Sequence, residues 1–146
     1  MTTATDPFAR FGYVLALTER TLSEVLRRHL AERGVVPETW YTLQVLATRG
    51  PALARTALSA ELAGSRGLDK ESTRELLARV EAEGLIEGDA TVELTEPGRE
   101  LHRSLSEYVA IPRQRLLSAF DPDDVATTIR TLQAISERAA EEAPAG

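Results

Sequence analysis

The sequence predicts a mainly α-helical fold that contains one small β-hairpin and has long helices at both ends. Its composition favours helices, because Leu, Ala, Glu and Arg are the most frequent residues. Apolar residues recur at spacings of three and four along several long segments, which is the period of a helix with one buried face. Two short segments of strand-like pattern flank Gly88-Asp89-Ala90 and are typical of a hairpin.

Three helices are predicted in the first part of the chain. The first spans residues 8–33 and has Gly34 as its C-cap; a helix of this length near a terminus often packs against a copy of itself. The second spans residues 37–48 and has a proline in its first turn. The third is short, covers residues 55–63, and is followed by a glycine-containing turn over residues 64–67.

A fourth helix and the hairpin follow this turn. Asp69 is a good N-cap for a helix that runs to Glu83, with Gly84 at its C-terminus. Residues 85–87 and 91–94 are the predicted strands. Helix, short turn, helix and hairpin in this order predict a winged helix-turn-helix, in which the second helix of the pair enters the major groove of DNA.

Two more helices are predicted after the hairpin. Pro97 begins the fifth helix, with Thr95 or Glu96 as its cap, and Pro112 is expected to kink or interrupt it. Asp121 is followed by a proline and two further acids, which together predict the start of the last helix.

The composition excludes several classes of protein. The chain has no Cys, which rules out disulfides and thiolate zinc sites, and its two His lack the spacing of metal ligands. It has no glycine-rich phosphate loop and no nucleophile motif, so we expect no catalytic residues, no metal, no cofactor and no enzymatic activity. The absence of a secretory signal and of about 18 consecutive apolar residues predicts a cytoplasmic protein without membrane contact.

Four segments of the chain resemble the MarR family of bacterial transcription regulators. They correspond to that family's second helix, third helix, end of the recognition helix and exit from the wing, and they stand in the family's order. The segments are Pro37-x-x-Trp40-x-x-Leu43-x-x-Leu46, Leu58-Ser59-x-Glu61-Leu62-Ala63, Val80-Glu81-x-Glu83-Gly84-Leu85-Ile86 and Leu94-Thr95-Glu96-x-Gly98-Arg99-Glu100-Leu101.

The resemblance implies a single MarR-like domain over residues 1–146, with residues 37–99 as the DNA-binding lobe and residues 8–34 and 100–142 as dimerisation helices. It implies a homodimer that presents two recognition helices, about 34 Å apart, to a palindromic operator in double-stranded DNA. Many members of the family release DNA when a small aromatic or acidic effector binds. The resemblance thus implies a sequence-specific transcription regulator. It also implies a repressor, because repressors are more common than activators in this family.

The predicted recognition helix has a buried face made by Thr73, Leu76, Leu77 and Val80. Its remaining surface is expected to meet DNA. Basic residues there would hold phosphates, Glu can accept a hydrogen bond from cytosine, and the start of the third helix would present backbone amides to a phosphate. The candidate DNA-binding residues are Arg55, Thr56, Arg66, Lys70, Glu71, Ser72, Arg74, Glu75 and Arg79.

The charge of the lobe supports an alternative function. The net charge of the chain is −6, and residues 51–100 contain six basic and eleven acidic residues. The hairpin has no Arg or Lys, whereas the wing of the MarR family usually carries an Asp-x-Arg motif whose Arg reaches the minor groove. The alternative is a dimeric winged-helix protein with weakened or lost DNA binding, which acts as a ligand sensor or protein-interaction module. The charges on the recognition helix would then form a solvated face.

The resemblance also places an effector pocket between the first, second and fifth helices. Aromatic side chains in this region either line such a pocket or belong to the core. An arginine there would pair with the carboxylate of an acidic effector. The candidate effector residues are Arg28, His29, Trp40, Tyr41, His102 and Tyr108.

Overall fold

The structure, a computed structural model, describes residue 6 and residues 8–142. This part of the chain forms six helices and three short strands. In chain order they are α1 (Phe11–Glu32), α2 (Pro37–Arg49), β1 (Leu53–Ala54), α3 (Arg55–Arg66), α4 (Lys70–Ala82), β2 (Ile86–Gly88), β3 (Thr91–Leu94), α5 (Glu96–Leu117) and α6 (Pro122–Glu142). The predicted fold class, mainly α-helical with a small hairpin in a winged helix-turn-helix, is confirmed.

The contacts between residues divide the chain into two compact units, Met1–Val109 and Ala110–Gly146. The first unit contains the helices α1 to α4, the three strands and the larger part of α5. The second unit contains the end of α5 and all of α6. The domain limits expected from the sequence, including the two dimerisation segments, stay predictions.

The core of the first unit consists of two groups of buried apolar side chains. The larger group packs leucines of α2 and α3 against the buried face of α4 and against the hairpin. The smaller group consists of Leu30, Trp40, Leu105 and Val109, from α1, α2 and α5. Tyr41 packs against both groups. Leu101 of α5 also packs against both groups. Because burying one large apolar side chain contributes roughly 1.5–3 kcal/mol, α2 and α5 together connect the two parts of the core.

The three strands form an antiparallel sheet in the order β1-β3-β2. β2 and β3 make the predicted hairpin, in which Ile86 lies opposite Leu94 and Gly88 lies opposite Val92. β1 adds a third strand by pairing Leu53 with Val92. The sequence does not predict β1, because two residues are too few to show alternation and the partner strand follows only after α3 and α4.

The turn predicted over residues 64–67 is mostly helical. α3 continues through Gly64 to Arg66 and ends at Gly67, which has a left-handed backbone with φ of +65°. A glycine inside a helix costs only about 0.5–1 kcal/mol, and the packing of α3 against its neighbours outweighs this cost. The turn between α3 and α4 is therefore shorter than expected.

Several other boundaries also differ from the prediction: for example, α1 begins at Phe11 and not at residue 8, and α2 ends at Arg49, one residue later than predicted. α5 continues through Pro112, so the interruption that was one of the two expected outcomes does not occur. Proline removes one backbone hydrogen bond of the helix, and this loss does not end a helix of 22 residues. β2 begins at Ile86, one residue later than predicted.

Thr95 joins the end of the hairpin to the end of α4. Its Oγ1 accepts a hydrogen bond from the N–H of Gly98 at 3.1 Å and donates one to the carbonyl oxygen of Gly84 at 2.6 Å. Its N–H donates to the carbonyl oxygen of Leu85 at 3.0 Å. Thr95 is therefore the residue that caps α5. As to membranes, none of the described helices is long and apolar enough to cross one.

Candidate nucleic-acid interface

Helix α4 is anchored on one side and exposed on the other. Thr73, Leu76, Leu77 and Val80 are all at most 4% exposed, as their spacing predicts. The candidate DNA-binding residues on this helix are all exposed: Lys70, Glu71, Ser72, Arg74, Glu75 and Arg79. The helix therefore presents a side of mostly polar and charged residues to solvent.

A side-chain cap fixes the first turn of α4. Oδ1 of Asp69 accepts a hydrogen bond from the N–H of Ser72 at 2.7 Å, which confirms the predicted N-cap. This backbone hydrogen bond holds the pKa of the Asp69 carboxyl below its usual range. The carboxylate therefore stays charged at the positive end of the helix dipole, next to the first exposed residues of the helix.

A groove of about 970 Å³ lies between α3, α4 and the tip of the hairpin. Small apolar side chains from both helices line much of it. Four of the candidate DNA-binding residues line it together: Arg55, Thr56, Lys70 and Arg74. Glu81 and Asp89 also line the groove, so its charge is mixed.

Arg55 is hydrogen-bonded within the lobe. Its Nε donates to the carbonyl oxygen of Asp89 at 2.8 Å, and its Nη2 donates to the carbonyl oxygen of Gly88 at 2.9 Å. Nη2 also pairs with the carboxylate of Glu81 on α4. The backbone N–H of Arg55 donates to the carbonyl oxygen of Ala90 at 2.9 Å. A phosphate contact by this side chain would have to compete with these bonds.

Arg66 and Arg79 do not line the groove. The guanidinium carbon of Arg66 lies 3.9 Å from the centre of the Tyr41 ring, and its Nη1 lies 4.0 Å from the carboxylate of Glu19. Arg79 lines a separate cavity of about 360 Å³, next to the loop between α1 and α2. The structure thus brings together only part of the predicted DNA-binding set.

The exposed side of α4 carries no excess of positive charge. The helix contains three basic and three acidic residues. Within residues 8–142, none of Lys70, Glu71, Arg74 and Glu75 takes part in an ion pair. The carboxylates of Glu71 and Glu75 are therefore available to accept hydrogen bonds from the edge of a DNA base. They also repel nearby phosphates.

Two of the candidate effector residues, Trp40 of the smaller core group and His102, stack on each other. Trp40 is buried, and the His102 ring lies 5.4 Å from it, centre to centre, at an angle of 11°. Nε2 of His102 lies 2.6 Å from Oε1 of Gln44. Burial lowers the pKa of the His102 imidazole. The stack and the hydrogen bond together connect α2 to α5.

A second contacting pair is formed by His29 and Tyr108. The two rings meet edge to face at 6.2 Å, and the guanidinium carbon of Arg33 lies 4.1 Å from the centre of the Tyr108 ring. The hydroxyl of Tyr108 donates to the carboxylate of Glu32, and this hydrogen bond raises the pKa of the tyrosine. Arg33 and Glu32 are contacts that the sequence did not single out.

The other two candidate effector residues lie in different surroundings. Arg28 is exposed, with its Nε 3.6 Å from the carboxylate of Glu24 on the same helix. Tyr41 lies between the two core groups, against Arg66. Neither the groove nor the smaller cavity is lined by any of the six candidates, and their role as a pocket stays a prediction.

Sequence reasoning missed the contact between Arg55 and the tip of the hairpin. Arg55, Glu81 and Gly88 belong to three different elements and are far apart in the chain, so no spacing rule connects them. The only signal was a hairpin without basic residues beside a helix that starts with arginine. That signal predicts a charged residue near the wing and does not predict what the residue binds.

Comparison with known proteins identifies the fold. No protein-family model matches the sequence, and no curated protein is detectably similar to it in sequence. Solved structures do match. A MarR-family transcriptional regulator from Rhodococcus sp. RHA1 is 19% identical, with a TM-score of 0.74 over 90% of this chain and 96% of that chain.

Two further structures show what such folds bind in other proteins. The Mycobacterium tuberculosis MarR-family protein Rv2887, in complex with DNA, is 22% identical, with a TM-score of 0.68 over 85% of this chain and 95% of that one. Staphylococcus aureus MarR, in complex with salicylate and kanamycin, is 20% identical, with a TM-score of 0.75 over 92% and 93% of the two chains. At these identities the likeness establishes the fold, and the neighbours are regulators, not enzymes.

Proposed function

From the MarR-like winged-helix fold that this chain adopts, we propose that the protein is a sequence-specific, DNA-binding transcription regulator of the cytoplasm. One observation carries the proposal: α4 is anchored by four buried residues while its polar side is open to solvent. A helix held in this way beside a hairpin has the geometry that enters a major groove. Lys70 and Arg74 supply phosphate or base contacts, and the exposed carboxylates of α4 accept from cytosine.

The regulator acts as a homodimer on a palindromic operator. Apolar side chains on α1 and α6 support this assembly, because they are exposed in the single chain and α6 buries none of its described residues. An exposed apolar surface of this kind is typical of a protein interface. The exposed residues include Phe11, Val14, Leu22 and Val25 on α1 and Ile129 and Ile135 on α6.

The regulator is a repressor that a small aromatic or acidic effector releases from DNA. The salicylate complex of the Staphylococcus aureus protein supports this class of effector. The aromatic pairs Trp40–His102 and His29–Tyr108 would line the pocket, and Arg28 would pair with a carboxylate. The effector acts only if it binds one spacing of the two recognition helices more tightly than the DNA-bound spacing.

The charge of the lobe favours a second function. The acidic residues of α4 equal its basic ones, and the hairpin has no basic residue. A dimer with these features would bind DNA weakly or not at all, and it would act as a ligand sensor or bind another protein. The two functions differ in one measurable property, the preference for a particular duplex.

Fluorescence anisotropy on DNA from upstream of the protein's own gene distinguishes the DNA-binding regulator from the dimer that does not bind DNA selectively. The regulator binds that duplex more tightly than a scrambled duplex of equal length, and its affinity falls linearly on a log–log plot against salt concentration. Equal affinity for both duplexes at low salt would instead support the second function.

An arginine substitution tests the role of α4. Arg74→Ala should weaken operator binding by about fivefold or more for each recognition helix that loses the contact, because a specific contact to a base contributes roughly 1–3 kcal/mol. Arg103→Ala is the matched control, since it removes the same charge from an exposed position on α5. If both variants bound equally well, α4 would not be the reading helix.

A further inference from the structure

The tip of the hairpin has little support of its own. β2 has three residues. Gly88 at its end has φ of +122°, a backbone conformation that residues other than glycine rarely adopt. A Cβ at this position would lie 1.9 Å from the carbonyl oxygen of Thr91, so the turn depends on glycine. A hairpin this short is at best marginally stable alone. Its position relative to α4 must therefore come from contacts with other elements.

Arg55 provides such contacts from a third element. Its guanidinium bonds two consecutive carbonyl oxygens of the turn, those of Gly88 and Asp89, and pairs with the Glu81 carboxylate on α4. The arginine side chain is only 31% exposed and that of Glu81 is 36% exposed. Hydrogen bonds of a charged, planar fork are stronger and more directional than neutral ones.

We propose that Arg55 is a positioning residue that locks the wing to the recognition helix. It does so by joining Glu81 on α4 to the backbone of Gly88 and Asp89 at the hairpin tip. The same contact offsets the negative charge of Glu81 on the side of α4 that lines the groove. The effect on DNA rests on the proposed function. The lock itself does not.

Hydrogen exchange of the free, full-length protein tests the lock without DNA. In Arg55→Ala, the backbone amides of residues 87–92 should exchange at least about tenfold faster than in the wild type, because the turn loses two charge-assisted hydrogen bonds and the pairing with Glu81 that connects them to α4. Arg49→Ala is the matched control: Arg49 also forms an ion pair between elements, with Glu61 on α3, but it does not touch the hairpin. Hairpin exchange that is equal in the two variants would overturn the proposal.

A second variant covers the case in which Arg55→Ala does not fold. Arg55→Lys keeps the charge and the aliphatic stem, but its single ammonium cannot reach all three acceptors at once. The hairpin amides should again exchange faster than in the wild type, by a smaller factor. Exchange at the wild-type rate in Arg55→Lys would contradict a lock that depends on the guanidinium fork.

The salt dependence of DNA binding separates positioning from a direct phosphate contact. If Arg55 positions the wing, Arg55→Ala lowers the affinity and leaves the slope of log K against log salt unchanged. If Arg55 holds a phosphate, the magnitude of this slope decreases by about one for each lost contact. That result would contradict the proposal. If the wild type binds no duplex selectively, the proposed function fails, while the exchange experiment still decides the role of Arg55.

Discussion

Two glycines of the first unit differ in the space around their Cα atoms. A Cβ on Gly98 would lie 2.0 Å from the carbonyl oxygen of Leu85, whereas nothing lies within 4 Å of a Cβ on Gly64. Gly98→Ala would therefore push the start of α5 away from the backbone of Leu85, directly before β2. We expect it to lower the free energy of unfolding by about 1–3 kcal/mol, the usual cost of overpacking, in urea denaturation at fixed protein concentration.

Gly64→Ala is the control for this prediction. Gly64 lies inside α3, where alanine is favoured over glycine by about 0.5–1 kcal/mol. The two substitutions add the same methyl group and should therefore shift the urea midpoint in opposite directions. A stabilising effect of Gly98→Ala would mean that the contact between Gly98 and Leu85 is looser than the structure indicates.

His102 makes the stability of the fold depend on pH. Its pKa is lowered by burial, so the unfolded chain binds a proton more readily than the folded one. Stability is therefore lost as the pH falls below the ordinary value of 6.5 and through the lower folded-state pKa. His102→Phe keeps a ring beside Trp40 and removes the titration. Thermal unfolding at pH 8 and pH 5 should show a smaller decrease in this variant than in the wild type, and an equal decrease would assign the effect to other groups.

At the scale of elements, the sequence predicts best where a helix has a single buried face. Thr73, Leu76, Leu77 and Val80 recur with the helical period, and all four are buried. The cap at Asp69 is equally local, because its acceptor and donor lie three residues apart. These features depend on spacing and side-chain chemistry within one segment, and both can be read without knowing the fold.

The features that the sequence did not predict depend on distant partners. β1 exists because β3 lies beside it. Arg66, a candidate for DNA binding, packs on Tyr41, and Arg55 bonds to a turn formed after two more helices. An arginine has the same propensity on a solvated face and on a neighbouring ring, so only the tertiary structure distinguishes its partners.

The exposed carboxylates of α4 either accept hydrogen bonds from DNA bases or only repel the phosphates, and a substitution distinguishes the two roles. A unit charge about 8 Å from a phosphate in water costs about 0.5 kcal/mol. If Glu71 and Glu75 only repel DNA, replacing both with Gln should raise affinity about fivefold for each recognition helix, or about 30-fold for a dimer that binds with both. If they accept from bases, the operator affinity should fall, because each such contact contributes roughly 1–3 kcal/mol. Anisotropy on operator and scrambled duplexes, at one salt concentration, distinguishes the two results.

On the scale of the whole molecule, the net charge of −6 opposes long-range attraction to DNA. Selective binding must then come from short-range contacts made by two copies of α4 at once. Linking two weak sites raises the overall affinity without new contacts, provided that their spacing fits the DNA. Dimerisation is therefore a requirement of the proposed function, and losing it should abolish selective binding.

A charge on α6 tests this requirement. Ile129 is 51% exposed in the single chain, so Ile129→Glu should leave the fold of one chain intact while placing a carboxylate in an apolar interface, which is costly. We expect sedimentation to show a monomer and anisotropy to show the loss of selective binding. Ala134→Glu is the control, because Ala134 lies on the opposite side of the helix from Val125, Ile129 and Leu132. That variant should remain a dimer. If Ile129→Glu also sedimented as a dimer, the dimer interface would lie on another surface. In that case α6 would not set the spacing of the two recognition helices.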